Sequence, residues 1–581
     1  SGSGQSNTGT TASTAAPTAA APQTSPSTTD TGSAETPVVS TSPYNLAAGK
    51  YQLNSDGWPE KYEYTLPLST TDEVFTQWTT SYAPQYLPEN DYKGVAMYVG
   101  MEKMTGVHIE YHIASVSSMA ENFAVLVNSD SLCDISAQVP YYWTSGTLKS
   151  GVEDGYFANL YDYKDYMPNY LNKIYNISLS SVDILGSVFY DDTTWVTMYS
   201  FYKKAAQGTG YMVRQDFMNK LNLGSATDIQ TYEQFADVLR AMKVGITVEN
   251  FYPVMIYSTL ALVAGDWCGF DTVGNLSSLQ YPRVVNGEVQ FCGVTSDDYD
   301  LLSMLNGWWN EGLIDPRYSS YGSDRSNLTN AMYADQIGSA VMTYGTVYSD
   351  ESLTVNPDCE WEPTKRMRKT TDQIIHYNFS GGWLGMGSAT ISAKCKNIPL
   401  VVSYLDWGYS DAGSDWITWG PEYDPSKEHG PMNGIWYYDD DGNRMLTDYA
   451  INHVAGTGWL QLTWLYNGFC ESGISDISRG FAYPGGQRFL AMCDVWDEVY
   501  GYYDGAYILP TAATKFDDAD NNTVVSSLTD ATTYYQETSI MFITGDKPLT
   551  QWDDFVSQIN NMGLGRVQEI YQKYYDAYIA A

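Results

Sequence analysis

The chain has 581 residues, which at roughly 100–200 residues per domain is enough for two or more folded lobes. Its 30 Lys and Arg against 68 Asp and Glu leave a formal net charge of −38, and a surface this acidic repels phosphate backbones and anionic lipid headgroups. With 50 Tyr, 17 Trp and 17 Phe but 5 His, the composition favours contacts made by rings over imidazole chemistry, and it disfavours nucleic-acid and peripheral-membrane roles.

Residues 1–43 predict a disordered tether. They consist mostly of Ser, Thr, Ala, Gly, Pro, Gln and Asn, and Val38 and Val39 are the largest aliphatic side chains among them. So little apolar surface does not offset the entropy of ordering the segment. A coil of this length has a root-mean-square reach of about 35–40 Å. From Tyr44 onward the composition is that of a globular protein, without a second linker or an internal repeat.

The first folded stretch predicts parallel strands joined by a helix. A strand is expected over 74–81, and residues 107–115 alternate apolar and polar side chains, as a half-buried strand does. Residues 117–130 predict a helix with Ser117 as its cap, and residues 134–139 predict the next strand. A strand–helix–strand unit of this size implies parallel strands and a right-handed crossover.

Later segments add helices. Residues 231–243 predict an amphipathic helix that starts at Thr231, and residues 551–578 predict a helical end interrupted at Gly563. The longest apolar stretch, 252–265, is shorter than the roughly 20 residues that a membrane-spanning helix needs. The pattern as a whole predicts an α/β protein.

Metal and cofactor sites are not expected. His108 and His112 lie on a predicted strand, where about 3.3 Å per residue separates them by roughly 13 Å, too far to share one ion. The acidic runs 439–443 and 517–522 resemble parts of a calcium loop but lack its bidentate glutamate, so acidic turns are the better interpretation. No nucleotide, dinucleotide or nucleophile-elbow motif occurs in the sequence.

Two chemical questions stay open at this stage. Because 68 acidic residues always include suitable pairs, a carboxylate pair for glycoside cleavage remains an alternative. The seven cysteines are odd in number and lack CxxC spacing, so we expect them to be mostly reduced and buried, with one disulfide left open.

Several tryptophans fall near predicted strand ends or glycine-rich turns. In open α/β sheets, ligands bind beyond the carboxyl ends of the strands, and flat indoles there suit the apolar faces of pyranose rings. Core packing is the alternative for any single one of them. The tryptophans in question are Trp78, Trp143, Trp195, Trp267, Trp383, Trp419 and Trp436.

The order of motifs resembles the family 1 extracellular solute-binding lipoproteins of carbohydrate ABC transporters, from about residue 64 to the end. The helix-to-strand entry MEKMTGVHIEY is followed by a segment that closely resembles the family's "iRqDWLdkLgl" element, and seven such stretches occur in the family's order. They lie at 101–111, 128–135, 154–170, 210–243, 286–316, 391–420 and 542–578. The family's calcium-binding insertion is not matched at 242–255.

The resemblance implies a two-lobed periplasmic-binding-protein-like (type 2) fold with hinge strands and an interlobe cleft. Residues 44–198 would be mostly the first lobe and 199–340 mostly the second, and 341–581 would cross back and end in helices. It also implies a lipidated Cys before Ser1, so that residues 1–43 tether the protein to the outer face of the cell membrane of a Gram-positive-type bacterium.

The expected function is capture of an oligosaccharide, neutral because Lys and Arg are scarce, and its delivery to the permease of an ABC importer by a monomer that is not an enzyme. The alternatives are a secreted glycoside hydrolase and a surface adhesin. The residues expected to contact the sugar are Tyr82, Trp143, Tyr202 (or Tyr199), Trp267, Tyr344, Trp383 and Trp419.

Overall fold

The computed structural model describes residues 42–179, 183–204, 208–256, 279, 282–318, 325–376, 383–498 and 509–580. In chain order its strands are β1 (Val74–Ser81), β2 (His108–Ser115), β3 (Ile135–Ala137), β4 (Thr197–Tyr202), β5 (Thr209–Arg214), β6 (Pro282–Val285), β7 (Glu288–Phe291), β8 (Ser339–Thr343), β9 (Trp361–Pro363), β10 (Leu384–Ile391), β11 (Trp436–Tyr438), β12 (Arg444–Leu446) and β13 (Ile474–Ser475).

The α-helices span Ala96–Thr105, Met119–Asn128, Val139–Tyr142, Leu148–Glu153, Pro168–Ser178, Asp183–Val188, Gln215–Leu221, Tyr232–Gly245, Ser296–Asn310, Arg325–Tyr333, Val347–Leu353, Ile398–Trp407, Asp411–Trp419, Asp448–Ile451, Thr457–Gln461, Gln487–Asp497, Asp518–Thr544, Trp552–Ile559 and Gly565–Ala580.

The larger sheet has six strands in the order β13-β4-β10-β3-β1-β2. β1 pairs in parallel with both β2 and β3, so the helix Met119–Asn128 connects two parallel strands across β1. The predicted strands at 74–81 and 107–115 are confirmed. Ser117 as the helix cap is wrong, because a 3₁₀ turn over Val116–Ser118 comes first. The third strand is shorter than predicted, because Gln138 takes a left-handed conformation with φ 53°.

The smaller sheet is antiparallel, with β5 between β8 and β9. Isolated parallel bridges from Tyr252 to Ile337 and from Met255 to Ala340 extend it. The helix Tyr232–Gly245 starts after Thr231, as predicted. Thr231 and Gln234 form a capping box: the Thr231 hydroxyl accepts from the Gln234 amide, and the Gln234 side chain accepts from the Thr231 amide.

The chain passes three times between the two sheets. It leaves the larger sheet after β4 to form β5, and returns from β9 to β10. After β13 it reaches the helix Gln487–Asp497, which packs on the smaller sheet: Arg488 pairs with Glu362 of β9, and Trp496 lies against Gly210 of β5. These crossings are the places where two lobes can hinge. The lobe boundaries predicted at 198 and 340 remain predictions.

The predicted helical end is confirmed, and its interruption lies at Gly563, which has φ 117°. The acidic runs are local turns and caps: Asp439 accepts from the backbone amides of Asp441 and Asn443, and Asp517 caps the helix Asp518–Thr544. Within the described ranges, no helix has the length and apolar character to cross a membrane. Six of the seven cysteines are described, and all six are free.

Asp406 fixes the helix Pro168–Ser178 against the helix Ile398–Trp407. Its Oδ1 accepts from the Tyr170 amide at 2.8 Å, and its Oδ2 accepts from the Tyr64 hydroxyl at 2.8 Å and from the Asn169 amide at 3.2 Å. Burial raises the pKa of this carboxyl group to about 7, although these donors favour the ionised form.

We expect Asp406→Asn to lower the free energy of unfolding by about 1–3 kcal/mol, because its NH₂ group would face donors that then lack an acceptor. Asp411→Asn is the matched control, since Asp411 is 70% exposed and pairs with Lys61 at the surface, where such pairs contribute less than about 1 kcal/mol. Urea denaturation of both variants measures the difference. Equal effects would contradict this role of Asp406.

Candidate functional site

Four segments meet at one edge of the larger sheet, where β1, β3 and β4 end and β10 begins. Tyr82 follows β1, Gln138 follows β3, Tyr202 ends β4 and Trp383 precedes β10. The Gln138 side chain donates to the Tyr82 hydroxyl at 3.3 Å, and the Tyr202 amide donates to the Trp383 carbonyl at 2.9 Å. This is the edge at which open α/β sheets bind ligands.

Glu471 brings a carboxyl group to this edge. Its Oε1 accepts from the Asn467 amide group at 2.9 Å, and its carboxylate also accepts from the Tyr82 hydroxyl. Gln138, Tyr82 and Glu471 therefore form one hydrogen-bonded chain, in which each group donates to the next.

The backbone at Glu471 is unusual. Cys470 and Glu471 both have left-handed conformations, with φ 55° and 54°, which cost free energy for residues other than glycine. Gly387 of β10 allows this path, because a β-carbon there would lie 2.2 Å from the Glu471 carbonyl oxygen. Strained backbone of this kind concentrates at binding sites.

Phenol rings surround the carboxyl group. Burial, with a contribution from the charge of Glu471, raises the pKa values of Tyr82, Tyr141, Tyr142 and Tyr202. Tyr141 stands out, because its side chain is 70% exposed on the short helix Val139–Tyr142 just beyond β3. An aromatic ring presented to solvent beside buried hydrogen-bonding groups is suited to contact a ligand.

The smaller sheet contributes Tyr344, which directly follows β8. Burial raises the pKa of Tyr344, and interactions with Tyr202 and Tyr466 raise it further. Its ring packs on Phe481 with the centroids 5.1 Å apart. Phenols from both sheets therefore approach each other at the crossing segments.

Burial also dominates the electrostatics of Glu471. It raises the pKa of the carboxyl group to about 7, and the hydrogen bonds from Tyr82 and Asn467 oppose this rise. Both donors are neutral, so the carboxylate is held without an ion pair to either of them.

The residues predicted to contact the sugar are tyrosines and tryptophans, and the structure places the two kinds differently. Tyr82 and Tyr202 interact with Glu471, Tyr344 interacts with Tyr202, and Tyr199 interacts with Tyr141. Trp267 lies outside the described residues.

The tryptophans considered in the sequence analysis differ in burial. Trp143 is 9% exposed, its N–H donates to the Thr147 carbonyl, and Tyr156 and Phe157 cover its ring, so it is a core residue and the prediction of a sugar contact is corrected. Trp78 and Trp436, at 1% and 6% exposure, are also core. Trp383 is half-buried beneath the Lys173 ammonium.

Trp419 lies on the helix Asp411–Trp419, where its ring meets Trp436 at 5.6 Å and Arg444 at 5.2 Å. It borders a separate cavity and is not part of the group around Glu471. Sequence analysis missed Glu471, Gln138, Asn467 and Tyr141. Tyr141 alone carried a signal, since it follows a predicted strand end within VPYYW.

No group of three or more His, Cys, Asp or Glu side chains in the described part of the chain has an arrangement that could hold a metal ion. His108 is instead paired with Glu102, at 2.6 Å between Nδ1 and Oε1.

Comparison with known proteins identifies the fold. Neither a family model nor a curated protein matches the chain. Among solved structures, the alginate-binding protein AlgQ2 is similar over 87% of this chain and 99% of its own, at 17% identity and a TM-score of 0.63. An extracellular solute-binding protein from Bifidobacterium longum subsp. infantis covers 91% of this chain and 100% of its own, at 15% identity and a TM-score of 0.67.

The ABC-transporter substrate-binding protein FusA of Streptococcus pneumoniae, solved in complex with kestose, covers 87% of this chain and 100% of its own, at 18% identity and a TM-score of 0.61. The predicted two-lobed α/β fold of solute-binding proteins is confirmed.

The raised pKa of Glu471 predicts how stability depends on pH. Between about pH 4.5 and pH 7 the folded protein holds a proton that the unfolded chain has lost, so this group's contribution to stability falls as pH rises. Glu471→Gln removes the effect. The free energy of unfolding of the variant minus that of the parent should rise from pH 5 to pH 7 and level off above.

Urea denaturation at pH 5, 6, 7 and 8 measures this difference. The exposed residue Glu428 offers the control variant Glu428→Gln, for which we expect no such rise. A constant difference for Glu471→Gln would mean that its carboxyl group is not held in the raised-pKa environment described above.

Proposed function

We propose that this chain is the substrate-binding protein of an ABC importer, and that it captures a neutral oligosaccharide between its lobes. The observation that carries the proposal is the placement of Tyr82 and Tyr202 beside Glu471 at the edge of the larger sheet, while Tyr344 of the smaller sheet interacts with Tyr202 where the chain crosses between lobes. The similar structures, an alginate-binding protein and FusA in complex with kestose, support a saccharide ligand, and of the two sugars kestose is the neutral one.

A neutral sugar fits the chemistry of this edge. Pyranose and furanose rings offer apolar faces to phenols and hydroxyl donors to a carboxylate. An acidic sugar would bring a second negative charge to Glu471, whose hydrogen-bond donors, Tyr82 and Asn467, carry no charge to compensate it.

The second element of the proposal is that the chain binds the sugar without cleaving it. Glycoside cleavage uses two carboxyl groups, about 5–5.5 Å apart in retaining enzymes and about 6.5–9.5 Å apart in inverting ones. The hydrogen-bond donors to Glu471 are the neutral side chains of Tyr82 and Asn467, so the proposal assigns Glu471 a binding role and not one half of a catalytic pair. Closure of the lobes on the sugar would then be driven by contacts that both lobes make.

The proposed location of the protein is the outer face of the cell membrane. Residues 1–43 would tether the folded body, through a lipid anchor, to the outer face of the membrane of a Gram-positive-type bacterium, where a monomer passes its sugar to the permease. The composition of this segment supports the tether.

A thermal-shift screen with neutral oligosaccharides, among them kestose, followed by calorimetric titration, tests the proposal. A ligand at 100 times its Kd stabilises the folded state by about 2.7 kcal/mol. We expect at least one neutral oligosaccharide to raise Tm. No response to any sugar would favour an adhesin, and the release of reducing ends from a bound sugar would favour a hydrolase.

Tyr141→Ala should weaken binding of that oligosaccharide by about tenfold or more, because truncation of an aromatic contact in a binding site removes packing that few other residues supply. Its exposure means that Tm without ligand should hardly change. Tyr437→Ala, at a 40% exposed tyrosine on the β11–β12 hairpin, is the matched control. If both variants bind equally well, the cleft lies elsewhere.

A further inference from the structure

A second cavity of about 470 Å³ opens between the helices Pro168–Ser178 and Asp411–Trp419, beside the end of β13. Its lining includes Lys173 and Trp419 but none of Tyr82, Tyr141 or Glu471. Its volume is in the range of small-molecule sites and is larger than inorganic phosphate needs.

The acidic side chains that line this cavity are already paired. Asp411 pairs with Lys61 at 2.6 Å, and Asp476 pairs with Lys203 at 3.1 Å. Asp415 accepts from the Arg444 guanidinium at 2.9 Å. Each lining carboxylate therefore has its own cation.

Lys173 is the exception among the lining cations. Its ammonium lies 4.7 Å from the centre of the Trp383 ring, and its one hydrogen bond within the described residues goes to the Lys203 carbonyl at 3.5 Å. Burial and, secondarily, the charge of Lys61 lower its pKa to about 8. A half-buried ammonium without a carboxylate partner costs free energy, and a bound anion would offset that cost. Such an ammonium is unusual in a chain with 68 acidic and 30 basic residues.

The remaining lining groups suit a sugar ring. Trp419 offers an indole, Asn172 and Asn176 offer amides, and Ser414 and Ser475 offer hydroxyls. We propose that this cavity binds an acidic monosaccharide or a short acidic oligosaccharide, with its carboxylate or phosphate on Lys173 and its ring beside Trp419. This site is separate from the cleft proposed for the neutral oligosaccharide.

Calorimetric titration of the full chain with sodium glucuronate, glucose 6-phosphate, inorganic phosphate and glucose tests the proposal. We expect glucuronate or glucose 6-phosphate to bind and glucose to bind at least about tenfold more weakly, since a charge-assisted hydrogen bond is lost. The first two probes distinguish a sugar carboxylate from a sugar phosphate. Inorganic phosphate binding as tightly as either would overturn the sugar ligand.

Lys173→Gln should weaken binding of the acidic probe by about tenfold or more. Lys427→Gln is the control, because Lys427 is 60% exposed at the surface and lies outside the cavity. An unchanged affinity in Lys173→Gln, or no binding of either acidic sugar to the parent, would overturn the proposal.

Tyr141→Ala separates the two sites. It should leave binding of the acidic probe intact, whereas Lys173→Gln should leave binding of the neutral oligosaccharide intact. If Tyr141→Ala weakened both ligands equally, a single shared site would replace the two proposed here.

Discussion

The arrangement at the edge of the larger sheet depends on one close approach, that of the backbone at Glu471 to β10. The approach requires glycine at position 387 and left-handed backbone at Cys470 and Glu471. It places a carboxyl group where the Tyr82 hydroxyl and the Asn467 amide converge. The cost of the strain and of the buried carboxyl group is met by hydrogen bonds and packing, and under the proposed function the polar chain from Gln138 through Tyr82 to Glu471 would orient the ligand.

The net charge of −38 and the neutral partners of Glu471 would both disfavour an acidic ligand at the proposed cleft. Repulsion from distant acidic groups is screened beyond about 8 Å at physiological ionic strength, so it affects encounter more than binding. At contact distance, the ionised form of the Glu471 carboxyl group would disfavour acidic ligands under the proposed function. The cavity at Lys173 would instead favour an acidic ligand, because each of its carboxylates is paired with a cation and the Lys173 ammonium has no carboxylate partner in the described part of the chain.

Local patterns predicted much of the fold. Alternation located β2, and Thr231 before an amphipathic pattern located a helix start, because both signals lie within a few neighbouring residues. The rule that ligands bind beyond strand ends led to Tyr82 and Tyr202, which lie at one edge of the larger sheet, and their contact with a sugar stays a prediction. Glu471 could not be predicted from the sequence, because only its contacts in the folded chain distinguish it from the other acidic residues among the 68. Those contacts join residues that are far apart in sequence: Tyr82 and Asn467, which lie side by side in the fold, are 385 residues apart.

Tryptophan and tyrosine occupy different places in this fold, which explains why Trp143 lies in the core. Trp78, Trp361, Trp407 and Trp496 are among the largest fully buried side chains, so indoles fill the core. One acceptor satisfies an indole N–H, as the Thr147 carbonyl does for Trp143 and the Asn122 side chain does for Trp78. A phenol hydroxyl both donates and accepts, so it can link Gln138 to Glu471 and still leave a ring face for a ligand. In a chain with 50 Tyr and 17 Trp, tyrosine therefore connects the core to the edge of the larger sheet, where the sugar is proposed to bind.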